Sequence, residues 1–182
     1  MSLLNHITGI LLKPKNEWPV IKQESINVNQ LFTGYVAILA LIPAIASFIN
    51  LIGHTFKYGI IYAVVSYIFA LVGVYVSAFI INALAPKFES KSNMNNALKL
   101  VAFSETPVWI AGIFSIFPPL AVIGSIVSLY ALYLLYIGLE PMMETPAHKR
   151  TVFFLVTLVV MAVILMVIGG AIVGIVAFRL MY

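Results

Sequence analysis

Four side chains in this sequence have the chemistry of metal ligands or proton carriers and a spacing that could bring them together: Glu105, Glu140, Glu144 and His148. Glu140, Glu144 and His148 follow one another at four-residue steps, which on a continuous helix puts them on one face. Carboxylates with an imidazole suit a divalent cation. Glu105 lies inside an apolar run, where a carboxyl is costly unless it is paired, protonated or hydrated. Against a metal site, Pro141 and Pro146 argue for an interrupted helix between Glu140 and His148, and Lys99, Lys149 and Arg150 are available as ion-pair partners. The simpler expectation is that these groups are solvated or paired at a membrane surface. A divalent metal is therefore not favoured, and no cofactor is expected. His6 and His54 read as interfacial polar residues rather than ligands.

Other reactive patterns are missing. The chain has no cysteine, which removes disulfides, thiol nucleophiles and thiolate-bound metals together. No glycine-rich phosphate loop, His-Glu-x-x-His pair or nucleophile elbow occurs. Ser104 beside Glu105 has no histidine expected at its depth to activate it. No catalytic residue is assigned, and the chain is read as a non-enzyme.

The elements that would position these residues follow from composition. Of 182 residues 63% are hydrophobic and 9% charged, too few charges to cover a water-facing surface. The apolar stretches are long and uniform rather than alternating, which excludes a β-barrel and leaves helices that satisfy their own backbones in lipid. The expected fold class is all-α, a polytopic membrane bundle of about five transmembrane helices with an N-terminal amphipathic interfacial helix. The spans are expected at 31–52, 58–85, 97–117, 120–139 and 151–178, forming one transmembrane domain over 31–182 behind a leader over 1–30. Pro43 should bend the first span and Pro86 should stop the second. Pro118-Pro119 forces a tight turn, so spans three and four form an antiparallel hairpin. Glu105 is then expected near the start of span three, level with Glu140 and Glu144 at the end of span four. Gly170 and Gly174 near the chain's end have the small-x-x-x-small spacing that lets membrane helices approach closely.

In the leader, Leu3, Leu4, Ile7, Ile10 and Leu11 recur at helical intervals, and the stretch lacks the basic start of a cleavable signal. Pro14 breaks it, and a second short helix carries Trp18 and Ile21 on one face. Leu3, Leu4, Ile7, Leu11 and Trp18 are expected at the membrane interface, with the indole in the headgroup layer. The basic residues set orientation. Lys13, Lys15, Lys22, Lys87, Lys91, Lys99, Lys149 and Arg150 share one side of a five-span chain, with Lys57 and Arg179 opposite. The positive-inside tendency puts the N-terminus in the cytoplasm and the C-terminus outside, in the periplasm or beyond. The net charge of +4 is thus a topology signal, and no nucleic-acid partner is expected.

Three passages carry a family resemblance. Pro14-x-x-x-Trp18-x-x-Ile21-x-x-Glu24 in the leader, Val101-Ala102-Phe103-Ser104-Glu105-Thr106-Pro107 in span three, and Leu132-Tyr133-Leu134-Leu135-Tyr136-Ile137-Gly138-Leu139-Glu140-Pro141 in span four resemble the bacterial branch of the Yip family. The resemblance implies a five-span protein of the bacterial inner membrane. Eukaryotic members bind Rab GTPases and one another in vesicle traffic, but they carry a long soluble N-terminal region that these residues do not include, so Rab binding is not expected. The bacterial pattern commonly places proline directly after Gly-Leu or Gly-Ile, whereas Glu140 intervenes here, so no role is carried over to Glu140. The leading expectation is a membrane scaffold or interaction protein in contact with the bilayer, forming a homo-oligomer or binding other membrane proteins. The competing one is a small transporter or channel with a cytoplasmic-side site for a cation or proton at Glu105, Glu140 and Glu144.

Overall fold

The computed structural model describes residues 5–51 and 56–181, and for 118, 121, 165, 168, 169 and 171–181 it describes the backbone alone. Among the described residues every regular element is helical. Two short leader helices come first, α1 (His6–Leu12) and α2 (Pro14–Gln23), the second opened by Pro14 at its first position and carrying Glu17 in its first turn. The first long helix, α3 (Val28–Leu51), is started by a capping box in which Asn27 and Gln30 bond each other's backbone amides. A π-type turn over Phe32–Val36 widens it early, and Pro43 lies in its middle.

Helix α4 (Phe56–Leu84) returns and ends in a 3₁₀ turn, Ala85–Phe88, that contains Pro86. The third span, Met94–Ile116, is broken. It consists of α5 (Met94–Ser104), capped by the Asn93 side chain, α6 (Thr106–Ala111) and a 3₁₀ turn, Gly112–Ile116. Phe117 is extended, as a residue before proline should be, and the turn Pro118–Leu120 leads into α7 (Ala121–Met143). Helix α8 (Ala147–Met181) starts just after Pro146, whose carbonyl accepts from the amides of Lys149 and Arg150.

Among the described residues five helical stretches are long and apolar enough to cross a bilayer, so this is a five-span helical membrane fold. Spans one, three and five start three or four residues earlier than expected, at Val28, Met94 and Ala147, and span four ends later, at Met143. Pro141 does not stop α7, which continues to Met143 and ends where Glu144 turns left-handed at φ 54°. Span three begins at Met94 rather than 97, because the leader supplies acceptors for its polar donors: the Asn95 side-chain amide donates to the Ile26 carbonyl and Lys99 to those of Ile21 and Glu24.

The leader also departs from expectation. Trp18 and Ile21 are fully buried, and Ile10 with them, within the same core as Leu100, Phe103 and Leu139. Trp18 is therefore covered by the protein's own side chains rather than laid in lipid. It packs on Gly138, where an added Cβ would stand 2.8 Å from Trp18 Cε2 and 2.5 Å from Leu100 Cδ1, so only glycine leaves room for the indole. The apolar face that amphipathicity assigned to lipid faces the bundle. Ile7 and Leu11 are half-buried against this core, whereas Leu3 and Leu4 lie outside the described residues.

Candidate functional site

Span three breaks at Glu105, and the local chemistry accounts for the break. Pro107 has no amide to offer Phe103 and its ring crowds that carbonyl, which favours a kink or break at this point. The Glu105 amide still donates to Val101 O at 3.0 Å and its carbonyl accepts from the Trp109 amide at 3.0 Å. The next residue, Thr106, is fully buried and its hydroxyl lies 2.6 Å from Tyr35 Oη. Tyr35 is turned toward it from the wide π-type turn of α3, and its ring packs on Phe103 and Trp109 with centroids 4.4 and 6.4 Å away. This contact holds the first and third spans together at the break.

The Glu105 side chain faces a cavity of about 350 Å³ between spans one, two and three, whose wall includes Pro43, Ser47, Ser66, Gly73, Ser77 and Trp109. A smaller cavity of about 40 Å³ continues from Glu105 past Ser77 and Ser104 toward Ala131 and Met161 on the last two spans. Among the described residues no hydrogen bond or ion pair reaches the Glu105 carboxyl. The hydroxyls of Ser104 and of Thr157, one turn before Met161, are likewise buried without a partner. Buried polar groups are ordinarily satisfied, so the unpaired Ser104 hydroxyl beside the Glu105 carboxyl identifies a polar spot in an apolar bundle.

The four residues proposed from the sequence are not brought together. Glu105 falls about eleven residues into a 23-residue span, in its middle, because the span starts early and breaks there. Glu140 and Glu144 instead lie at the leader end of α7. Arg150 Nη1 donates to Glu140 Oε2 at 2.5 Å, and Lys22 Nζ donates to Glu144 Oε1 at 2.9 Å with Lys91 at 3.6 Å. The Lys22 hydrogen bond and charge, with Lys91 behind them, hold the Glu144 carboxyl below its usual range. His148 Nε2 is 3.4 Å from Glu89, which Lys149 also approaches at 3.5 Å. Among the described residues no cluster of three or more potential metal ligands is present. Gly170 is exposed, and an added Cβ there would meet nothing within 4 Å, while the surroundings of Gly174 lie outside the described residues.

Sequence reasoning missed the leader's polar core. His6, nearly fully buried, has Nδ1 2.5 Å from Glu17 Oε1 and Nε2 3.0 Å from Glu24 Oε2, while Tyr130 Oη donates to the Leu11 carbonyl at 2.8 Å. Glu17 lies in the first turn of α2 and Glu24 just past its end, and their seven-residue spacing was the available signal.

A five-span bundle with a polar break at the middle of its third span and an N-terminal cap packed into one end defines a polytopic helical membrane protein. Residues 8–169 match the Yip1 domain. The chain belongs to that family. Inner membrane protein YohC of Escherichia coli, in strain K12 and in strain O6:H1, is 26% identical over 177 residues, which cover 89% of this chain and 91% of the relative. No solved structure matches the chain.

Proposed function

We propose that this protein is a small membrane transporter or channel in which Glu105 binds a proton or a monovalent cation. The observation that carries this reading is the Glu105 carboxyl itself, without a partner among the described residues, at the break of span three and facing a cavity large enough for several waters. A carboxyl at that depth needs a proton, a cation or water to be tolerated, and broken helices with irregular backbone at mid-membrane are where transporters place such sites. One carboxyl among hydroxyls supplies too little charge for the oxygen cages of Ca²⁺ or the near-octahedral shell of Mg²⁺. The cavity extends from Ser77 and Val101 to Ser47 and Ser66 in the half of the bundle away from the leader, which supports access from that end. The membrane is proposed to be the bacterial inner membrane, as for YohC, with the leader cytoplasmic on the strength of the eight-to-two basic bias.

The test is flux of protons, Na⁺ and K⁺ in liposomes, comparing wild type with Glu105→Gln and Glu105→Asp. Flux above empty liposomes that Gln abolishes and Asp partly keeps supports the reading. Equal flux for wild type and Glu105→Gln removes it.

A second reading, a non-enzymatic scaffold or interaction protein that self-associates, rests on α8. That helix is the least enclosed of the five spans, and among the described residues nothing packs against Gly170. Gly170→Leu should then lower energy transfer between labelled copies in liposomes. An unchanged signal would leave this reading without support.

A further inference from the structure

A second cavity, of about 620 Å³, lies between α2 and the α7–α8 pair at the leader end of the bundle, remote from Glu105. Its polar groups are mostly donors. Arg150 sits over the Tyr136 ring, 4.6 Å from the centroid, and its Nη1 is spent on Glu140, but its Nε is buried with no partner. Lys15 is exposed at the rim and forms no ion pair among the described residues. Trp18, which walls the cleft, is fully buried with an indole N–H that also has no partner. Lys15 and Arg150 against Glu140 leave one positive charge in excess. Lys15 at the rim and a guanidinium fixed by an aromatic face supply a surplus positive charge that suits an anionic oxygen ligand such as phosphate.

The surface leading away from the cleft decides between a free and a lipid-borne phosphate. Tyr133, on its wall, continues along α7 as Leu129, Ile126 and Val122 at steps of four, three and four residues, which puts all four on one face. Every one of them is exposed, from 42% at Tyr133 to 66% at Val122 and Leu129. An apolar ridge that starts at a phosphate-sized donor cluster and runs down a membrane span follows the path of an acyl chain.

We infer that this cleft binds the phosphodiester headgroup of an anionic glycerophospholipid, held by Lys15 and Arg150 with an acyl chain along the α7 ridge. The lipid would fasten α2 to α7 and α8 from outside, a role separate from chemistry at Glu105.

The test is thermal stabilisation of the full chain in detergent by phosphatidylglycerol, phosphatidylethanolamine or inorganic phosphate, for wild type, Lys15→Glu, Arg150→Gln and Lys57→Gln, the last at the opposite end. Phosphatidylglycerol should stabilise wild type at the lowest concentration. Lys15→Glu, an exposed change that leaves folding intact, should raise that concentration about tenfold, near the value of one to two basic groups at a lipid surface, with Lys57→Gln unchanged. Equal stabilisation by the zwitterionic lipid, or the same midpoint for Lys15→Glu as for wild type, would overturn the inference. Stabilisation by inorganic phosphate as strong as by phosphatidylglycerol, and equally sensitive to Lys15, would overturn the lipid assignment in favour of a free anion.

Discussion

The close approach of Gly112 to Pro43 between spans one and three gives a sharp test of how these spans are spaced beside the Glu105 cavity. Gly112 follows α6 with ordinary right-handed geometry, φ −55° and ψ −23°, so no backbone strain calls for glycine there. What excludes a side chain is Pro43: an added Cβ would stand 2.6 Å from its Cβ and 2.9 Å from its Cα. Carbon atoms rest at 3.5–4.0 Å, so Gly112→Ala must push the two spans about 1 Å apart. Neither obstructing atom can swing aside, since one is backbone and the other belongs to a closed ring. Overpacking of this kind costs about 1–3 kcal/mol. Gly73→Ala is the matched control: Gly73 lines the same cavity, but an added Cβ meets nothing within 4 Å, and the exchange should be neutral or slightly stabilising through helix propensity. Thermal unfolding in detergent, followed by circular dichroism, should therefore give a lower midpoint for Gly112→Ala than for wild type, and no loss for Gly73→Ala. Equal midpoints for the two variants would refute the argument that the Pro43–Gly112 contact sets the spacing of these spans.

Two further outcomes follow from the leader. Lys99→Met keeps the side chain's bulk but removes the donor to the carbonyls of Ile21 and Glu24, leaving buried acceptors unpaired at a cost of about 1–3 kcal/mol; amides near the end of α2 should exchange hydrogen faster while those of α4 do not, and unchanged exchange in α2 would contradict the clamp. Because the Lys22 and Lys91 charges depress the Glu144 carboxyl, its contribution is present above the unfolded value, roughly 4.3 for glutamate, and is lost as pH falls through the lower folded value. Acid should thus loosen the Lys22–Glu144 tie between leader and α7 in wild type, and Glu144→Gln should show the loosened exchange at all pH values; a wild type and variant with identical pH profiles would sink this assignment.

The five spans were legible because hydrocarbon imposes length and uniform polarity on each one, a constraint written residue by residue. The features that build the site are not of that kind. Glu105 was misplaced in depth because Asn95 and Lys99 look like water-facing residues, and only the leader's carbonyls, some 70 residues earlier in sequence, explain why they are inside. Trp18 was assigned to the headgroups because amphipathicity states that a face must be covered without stating by what; the answer is a slot whose floor is Gly138. Pro141 was read as a stop, yet α7 passes through it, and so Glu140 and Glu144 meet basic side chains instead of Glu105. The break at Glu105 did have a local signal, Thr106-Pro107 following a carboxyl in an apolar run, and the π-type turn that turns Tyr35 toward it had none. These elements are joined physically. Phe103, fully buried in the last turn before the break, packs edge-on against the His6 ring at 5.6 Å on the leader side and against Tyr35 at 4.4 Å on the span-one side. Displacing the leader therefore uncovers the ring that braces Tyr35, and Tyr35 holds Thr106, the residue next to Glu105. The cap at one end of the bundle and the carboxyl at its centre are two ends of one packed chain of contacts.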